Sequence, residues 1–451
     1  MSINDERMAT GWSRRRFIHR LAGGTGAWAL AGVAGVGAGA KYHQGDEDDD
    51  RQGKGKNKPV EFEHVVLVMM ENRSFDHFLG WLPGADGRQA GLRYPDRDGT
   101  RKATYRLAPD YQGCGRSDPG HSQAEGLVEY NGGACDGWLL AGNNDIYSIG
   151  YYTEADLAFL GPAARQFTTC DRYFASLMSE TFPNRFHQHA AQTDRADNAM
   201  TLSTLPTIWD RLADKGISRR YYFNDVPFLA LWGLKYLPIS RLFPSFLADC
   251  ASGDLPAVSF VDPGFLGESS GVAYDDHPHA DIRAGEEFLA TVYNAVTSSP
   301  AWSKTILIIN YDEWGGFFEH VPPPLAPQPA GDRALGLGAR RGFRVPCLLI
   351  SPFATKGAVS NTVFDHASVL RLIEKRWNLA PLTVRDAQAN SLDDALDFRR
   401  PRTDVPPITV PVVVPAACPS AAAPAAAARP VEAANEWVGL RDQARAQGWP
   451  I

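Results

Sequence analysis

Short apolar runs that stop on an acid or a serine recur along the chain. His64-Val65-Val66-Leu67-Val68-Met69-Met70 is followed at once by Glu71 and Asn72, and Ala257 to Val261 leads to Asp262. Thr305 to Ile309 leads shortly to Asp312 and Glu313, and Val345 to Ile350 leads to Ser351. Near-continuous runs rich in Val, Ile and Leu suit strands of a parallel sheet buried on both faces. Between them the spacing becomes helical: Phe288, Leu289, Val292, Tyr293 and Val296 share one face, as do Val369, Leu370, Ile373 and Trp377. Ile208, Trp209 and Leu212 open a further helix, closed by Gly216. The alternation predicts an α/β fold, a sandwich with helices on both faces of a mostly parallel central sheet. In such sheets ligands collect beyond the carboxyl ends of the strands, where these acids fall.

The 451 residues, 44% apolar and 22% charged, have the composition of a folded globular protein. The formal net charge of -7, with Lys and Arg spread along the chain, gives no reason to expect a nucleic-acid partner. The N-terminus changes the picture. Ser13-Arg14-Arg15-Arg16-Phe17-Ile18-His19 precedes a Gly/Ala-rich apolar stretch ending in Ala38-Gly39-Ala40. Residues 1 to 40 therefore read as a twin-arginine signal, with the twin-arginine translocon as partner and a periplasmic or secreted destination. Residues 41 to 58, acidic and then Gly/Lys-rich, read as a disordered linker. The main folded body is expected from 59 to 400, followed by a Pro/Ala-rich extension over 401 to 451. No C-x-x-C pair occurs among the six cysteines, and the expected bridge joins Cys114 to Cys135, which share one Gly-rich loop region.

Several polar stretches can carry chemistry. Asp312 and Glu313, with Gly315-Gly316 beside them, offer hard oxygen ligands for a cation, and His320 follows as a ligand or proton donor. A helix N-cap with surface charges would read the same. Ser179 to His187 gathers Thr181, Asn184, Arg185 and His187: Arg185 suits a bidentate contact with a phosphate or a carboxylate, and Thr181 suits attack once a cation lowers its pKa. Asp275-Asp276-His277-Pro278-His279, Asp365-His366 and His121 add acids and imidazoles to the same chain. Together they point to a polar, metal-bearing site.

These stretches carry a resemblance. "VVLVMMENRSFDHFLG" (65 to 80), "ETFPNRFHQHAAQTD" (180 to 194), "DDHPHADIRAGEEF" (275 to 288), "YDEWGGFFEHVPPP" (311 to 324) and "GFRVPCLLISPF" with "FDHASVLRLIEKRW" (342 to 377) resemble the bacterial phosphoesterase family of non-haemolytic-type phospholipases C and acid phosphatases. That family is similar in fold to alkaline phosphatases and sulfatases. The resemblance implies an alkaline-phosphatase-like α/β/α sandwich with a phosphoesterase catalytic domain over 59 to 400. It implies Glu71, Asn72, Asp312 and Glu313 as metal ligands and Thr181 as the nucleophile. His121, His277, His279 and His320 then contact phosphate or transfer protons, and Asn184, Arg185 and His187 bind substrate. Asp365 and His366 match a motif and read equally well as structural.

Two departures from the family pattern stand out. Phe182 occupies a position where many members have Asn, and a Pro/Ala-rich tail stands where phospholipase C members often carry β-rich domains. The expected activity is phospholipase C-like hydrolysis of a phosphatidylcholine-type lipid, with transient contact at a membrane surface. Acid phosphatase action on small phosphomonoesters is the alternative. A sulfuric ester hydrolase is disfavoured because no Cys-x-Pro-x-Arg pattern occurs, and a non-catalytic envelope binding protein is disfavoured by the intact carboxylate pairs. Oxygen-rich ligands suit Ca²⁺, Mg²⁺ or Mn²⁺, with Zn²⁺ open. Trp81, Trp138, Trp232 and Trp314 offer cation–π contacts to choline but read more readily as core.

Overall fold

The computed structural model describes residues 62–419 and 436–451, so the export signal and linker expected over 1 to 58 lie outside the described residues. Eight strands form the main sheet. In chain order they are β1 (His64–Met70), β2 (Thr168–Cys170), β3 (Arg219–Phe223), β4 (Ser240–Leu242), β5 (Val258–Val261), β6 (Thr305–Tyr311), β7 (Cys347–Ile350) and β8 (Val359–Ser360). Across the sheet they run β8-β2-β7-β6-β1-β5-β3-β4, and five of the seven neighbouring pairs are parallel. Every residue of β5, β6 and β7, and all of β1 after His64, is buried, which requires cover on both faces.

One strand departs from the parallel expectation. β7 runs antiparallel to β6, with Leu307 opposite Ile350. An all-apolar run reads the same in either direction, so its pattern carries no information about polarity. Val345 and Pro346 stay outside this strand, consistent with the missing N–H of proline.

The helices used below are α1 (Phe75–Leu79), α2 (Gln123–Tyr130), α3 (Leu160–Gln166), α4 (Thr181–Ala190), α5 (Ile208–Asp214), α6 (Phe243–Ser252), α7 (Ile282–Thr297), α8 (His366–Trp377) and α9 (Glu436–Gln447). The apolar stripe expected on α7 is buried, as are Ile208, Trp209 and Leu212 of α5. α7 packs on α6, whereas α4 packs on α5 and α8. Trp138 and Trp314 are fully buried and Trp232 nearly so, which makes them core. The half-buried Trp81 lies under the Arg165 guanidinium, so its face is taken.

Glu286 of α7 caps the start of α3: its Oε2 accepts the N–H of Leu160 at 3.0 Å and that of Phe159 as well. Burial, then nearby Asp276, push its carboxyl up to about 8. An acid raised in the folded state adds stability below its unfolded value of about 4.3 and loses it as pH rises through about 8. Glu286→Gln keeps an acceptor for both N–H groups. Its melting temperature should exceed wild type at pH 9, with the gap closing toward pH 5; equal values at pH 9 would show that the ionised carboxylate is tolerated.

The tail does not hang free. Thr403, Pro406 and Ile408 accept hydrogen bonds from Trp302, Tyr293 and Asn294, and Cys418 is bonded to Cys114 with Cα atoms 5.5 Å apart. This corrects the expected Cys114–Cys135 bridge. Cys135 is buried in a small aromatic core with Trp138 and Phe343, and burial pushes its thiol up to about 12. Beyond residue 435, Trp437, Leu440, Ala444 and Trp449 are buried, so the extension ends in a helix docked on the main body.

Candidate active site

The site follows from strand register. β1 and β6 are parallel neighbours with Met70 opposite Tyr311, so Glu71-Asn72 and Asp312-Glu313 leave the sheet side by side. β5 flanks β1 with Val261 opposite Val68, which adds Asp262. The Asn72 N–H donates to Asp312 Oδ1 at 3.0 Å, and the Asp312 N–H to the Met70 carbonyl at 3.0 Å, locking the two turns together. Gly315 and Gly316 let the next loop close down. A Cβ at Gly315 would lie 2.2 Å from the Asn72 carbonyl oxygen, and one at Gly316 2.5 Å from that of Gly120, beside His121.

Thr181 is the first residue of α4 and fully buried, and its Oγ1 donates to Glu71 Oε2 at 3.3 Å. One turn on, Arg185 shares the same face. Its Nε donates to Glu71 Oε1 at 2.8 Å, Nη1 to Asp262 Oδ1 at 3.2 Å and Nη2 to the Met69 carbonyl at 3.3 Å, with Asp312 Oδ2 3.7 Å from Nε. Arg185 therefore holds Glu71 in place with the donors expected for phosphate.

Two other substrate-binding expectations are likewise replaced. Asn184 ties the 177 to 180 turn, accepting from the Leu177 N–H at 2.9 Å and donating to the carbonyls of Leu177, Ser179 and Glu180. His187 is buried with Nε2 2.9 Å from Asp332, which also accepts the Thr193 N–H.

Two of the four expected histidines join the site. His121 Nε2 stands 4.0 Å from Glu313 Oε1, and His277 Nδ1 4.0 Å from Glu268 Oε2, with the two rings 6.0 Å apart. Asp118, His121 and His277 bring ligand atoms within 4.8 Å of one another. Burial holds His277 down at about 4, so it is neutral at pH 7. His279 turns away: its Nε2 meets the Arg116 carbonyl at 3.0 Å and its ring lies along Tyr147. His320 belongs to a separate ionic group, bonded to Asp76 and Asp86, in which Arg344 pairs with Glu319 at 2.7 Å and Asp76 at 3.3 Å. That group joins the 312 to 320 loop to α1. Asp365 is structural, held by Arg341 and Arg385 and capping α8.

Too many acids meet here for the cations present. Burial raises Glu71, Glu313 and Glu268 well above the ordinary range, against the pull of Arg185 at Glu71, and neighbouring carboxylates raise all three further. Asp275 is pushed up to about 8, first by burial. Asn72 Oδ1, Asp312 Oδ2, Glu313 Oε1, Asp275 Oδ2 and Glu268 Oε1 are buried without hydrogen-bond partners. Buried charges and lone pairs left so are costly unless a cation meets them, and this oxygen-rich set fits a divalent ion. Asp118 and Glu268 were not anticipated, and only the D-x-x-H spacing of Asp118 to His121 could have hinted at the first; Asp262 is the strand-end acid expected after Val261, and its pairing with Arg185 is the unforeseen part.

The phosphoesterase family model matches residues 62–380. The chain belongs to the phosphoesterase family. It is a hydrolase of phosphoric esters, similar to phospholipases C. Phospholipase C B of Mycobacterium tuberculosis (strain ATCC 25618 / H37Rv) is 32% identical, covering 88% of this chain and 88% of that protein. Non-specific phospholipase C1 of Arabidopsis thaliana is also 32% identical, covering 76% of this chain and 72% of its own. Non-hemolytic phospholipase C of Pseudomonas aeruginosa is 30% identical over 76% of this chain and 58% of that longer protein. Among solved structures, a protein in the alkaline phosphatase superfamily from Vibrio parahaemolyticus aligns over 75% of this chain and 72% of its own, with a TM-score of 0.37 at 11% identity. The strand order, and not that distant likeness, carries the α/β assignment.

Proposed function

We propose that this phosphoesterase cleaves phosphodiesters of the phosphatidylcholine type, with Thr181 as nucleophile and Glu71, Asn72, Asp312 and Glu313 holding a divalent cation. The observation that carries this reading is the contact of Thr181 Oγ1 with Glu71 Oε2 at 3.3 Å, inside a cluster of uncompensated carboxylates. A divalent cation bound there would lower the pKa of a hydroxyl beside it and neutralise phosphate charge. Thr181 stands at the first turn of α4, where the helix dipole favours a developing alkoxide.

Its oxygen bonds to phosphorus as its proton passes to Glu71 Oε2 and the bond to the leaving alcohol breaks, and His121 delivers a proton to that alcohol. The phosphothreonine diester is then hydrolysed by water. His277, neutral at pH 7, accepts the proton of that water, Glu71 returns its proton to Thr181, and solvent takes the proton from His277 and restores the one His121 gave. Arg185 keeps Glu71 aimed at Thr181 throughout.

Export by the twin-arginine translocon belongs to the same proposal. The Arg14-Arg15-Arg16-Phe17 stretch and the Cys114–Cys418 bridge, which suits an oxidising compartment, support it. Among the described residues no helix is long and apolar enough to cross a membrane.

The test offers purified protein p-nitrophenyl phosphorylcholine and p-nitrophenyl phosphate, with and without chelator. Preferential cleavage of the diester, lost on chelation and restored by one of Ca²⁺, Mg²⁺, Mn²⁺ or Zn²⁺, is expected. Preference for the monoester would make the chain a phosphatase, and chelator-insensitive turnover would remove the cation from the reading.

A further inference from the structure

The C-terminal helix reaches the site from more than 120 residues beyond Asp312-Glu313. Glu436, its first residue, accepts a hydrogen bond from Asn198 Nδ2. Asn198 accepts the Phe182 N–H at 2.8 Å and donates its own N–H to Glu180 at 3.1 Å. Glu436 is thereby hung beside the first turn of α4, where Thr181 sits. Burial first, then Glu180, Asp312 and Asp118, raise its carboxyl, and Glu436 in turn raises Glu71 and Glu268. Its carboxylate thus shares the site's field without being one of the strand-end ligands. It is 9% exposed, less sealed than Glu71, Asp312 and Glu313 at 0%. Among the described residues no Lys or Arg pairs with it.

Trp437 sets that position. It stacks on Phe265 at 3.8 Å with ring planes 3° apart, meets Phe182 edge-on at 5.3 Å and lies 5.5 Å from the Arg185 guanidinium. Phe182, the departure in the nucleophile motif, is fully buried and serves as a packing surface for this tryptophan. The Trp437 ring is already covered by Phe265, so it positions Glu436 and does not itself cradle a ligand.

Charge balance then selects among substrates. Among the described residues Arg185 is the one guanidinium bonded to this acid cluster, through Glu71, Asp262 and Asp312, while Glu313, Asp275, Glu268 and Glu436 add buried carboxyls with no guanidinium bonded to them. Even with one divalent cation bound, a phosphomonoester dianion adds negative charge to a surplus. A zwitterionic diester adds none, and its cation has a carboxylate to meet.

Resting on the phosphodiesterase reading above, we infer that Glu436, positioned by Trp437, is the subsite for the alkylammonium headgroup of a zwitterionic phosphodiester.

The experiment compares p-nitrophenyl phosphorylcholine with methyl p-nitrophenyl phosphate, a diester lacking the cation. Glu436→Gln keeps an acceptor for Asn198 and removes the carboxyl that would ionise against a bound cation. The choline-to-methyl ratio of kcat/KM should fall about tenfold, mainly through KM, as expected for loss of one charge-assisted contact. Trp437→Ala should lower the same ratio and Trp437→Phe should restore it. Because substitution at 436 can impair folding, the wild-type enzyme supplies a second arm: tetramethylammonium should compete with the choline diester and not with the methyl diester. An unchanged ratio in a folded Glu436→Gln protein, or no selective competition, overturns the subsite while wild-type diester cleavage leaves the phosphodiesterase reading standing. Wild-type activity confined to phosphomonoesters overturns both.

Discussion

Thr181→Val should lower kcat/KM on p-nitrophenyl phosphorylcholine by more than about a thousandfold, since no other hydroxyl stands at the first turn of α4 to replace the nucleophile. The substitution removes one donor to Glu71 Oε2, an effect of about 1 kcal/mol on stability. Melting and metal content should therefore stay near wild type while turnover disappears. Residual activity within tenfold of wild type would take the nucleophile role from Thr181. A Thr181→Ser protein that recovers turnover would tie the loss to the hydroxyl.

The largest expected effect on stability lies at Arg185. Arg185→Met leaves Glu71 and Asp262 buried without their guanidinium, and breaking a buried pair on one side costs about 3–5 kcal/mol. Urea denaturation of metal-free protein should show the full loss, and a saturating divalent cation should offset part of it by meeting the same carboxylates. Arg185→Lys keeps the charge but cannot reach Glu71 and Asp262 through a planar fork, so it should fall between the two. An unchanged midpoint in the metal-free Met variant would mean that Glu71 and Asp262 simply take up protons.

The strand-end acids were legible in sequence because the rule linking them to a site is local: an apolar run, then a carboxylate, in a parallel sheet. Glu71, Asn72, Asp312 and Glu313 needed only the adjacency of β1 and β6 to become one group. Arg185 could not be assigned between phosphate and carboxylate because a guanidinium near a nucleophile looks alike in either role, and the resemblance gave it to substrate; the difference lies in Asp262, a strand away. His277 and His279 sit two apart on an irregular loop, where no period tells which ring faces inward. The bridge partner of Cys114 and the acid at 436 depended on the path of a tail whose composition suggested no path at all. Local chemistry was readable; closure over long sequence distances was not.

The Cys114–Cys418 bond spans 304 positions, and its first half lies just ahead of Asp118 and His121. Synthesis proceeds from the N-terminus, so the segment bearing those two residues waits for about 300 further residues before its covalent anchor exists. A polypeptide ending between residues 361 and 417 carries every strand of the main sheet, Thr181 and both strand-end pairs, yet leaves that segment untied. The presence of residue 418 is thereby written into the molecule as a chemical mark: the Cys114 thiol stays reactive to alkylating reagents in chains that lack Cys418 and is protected where the bond has formed.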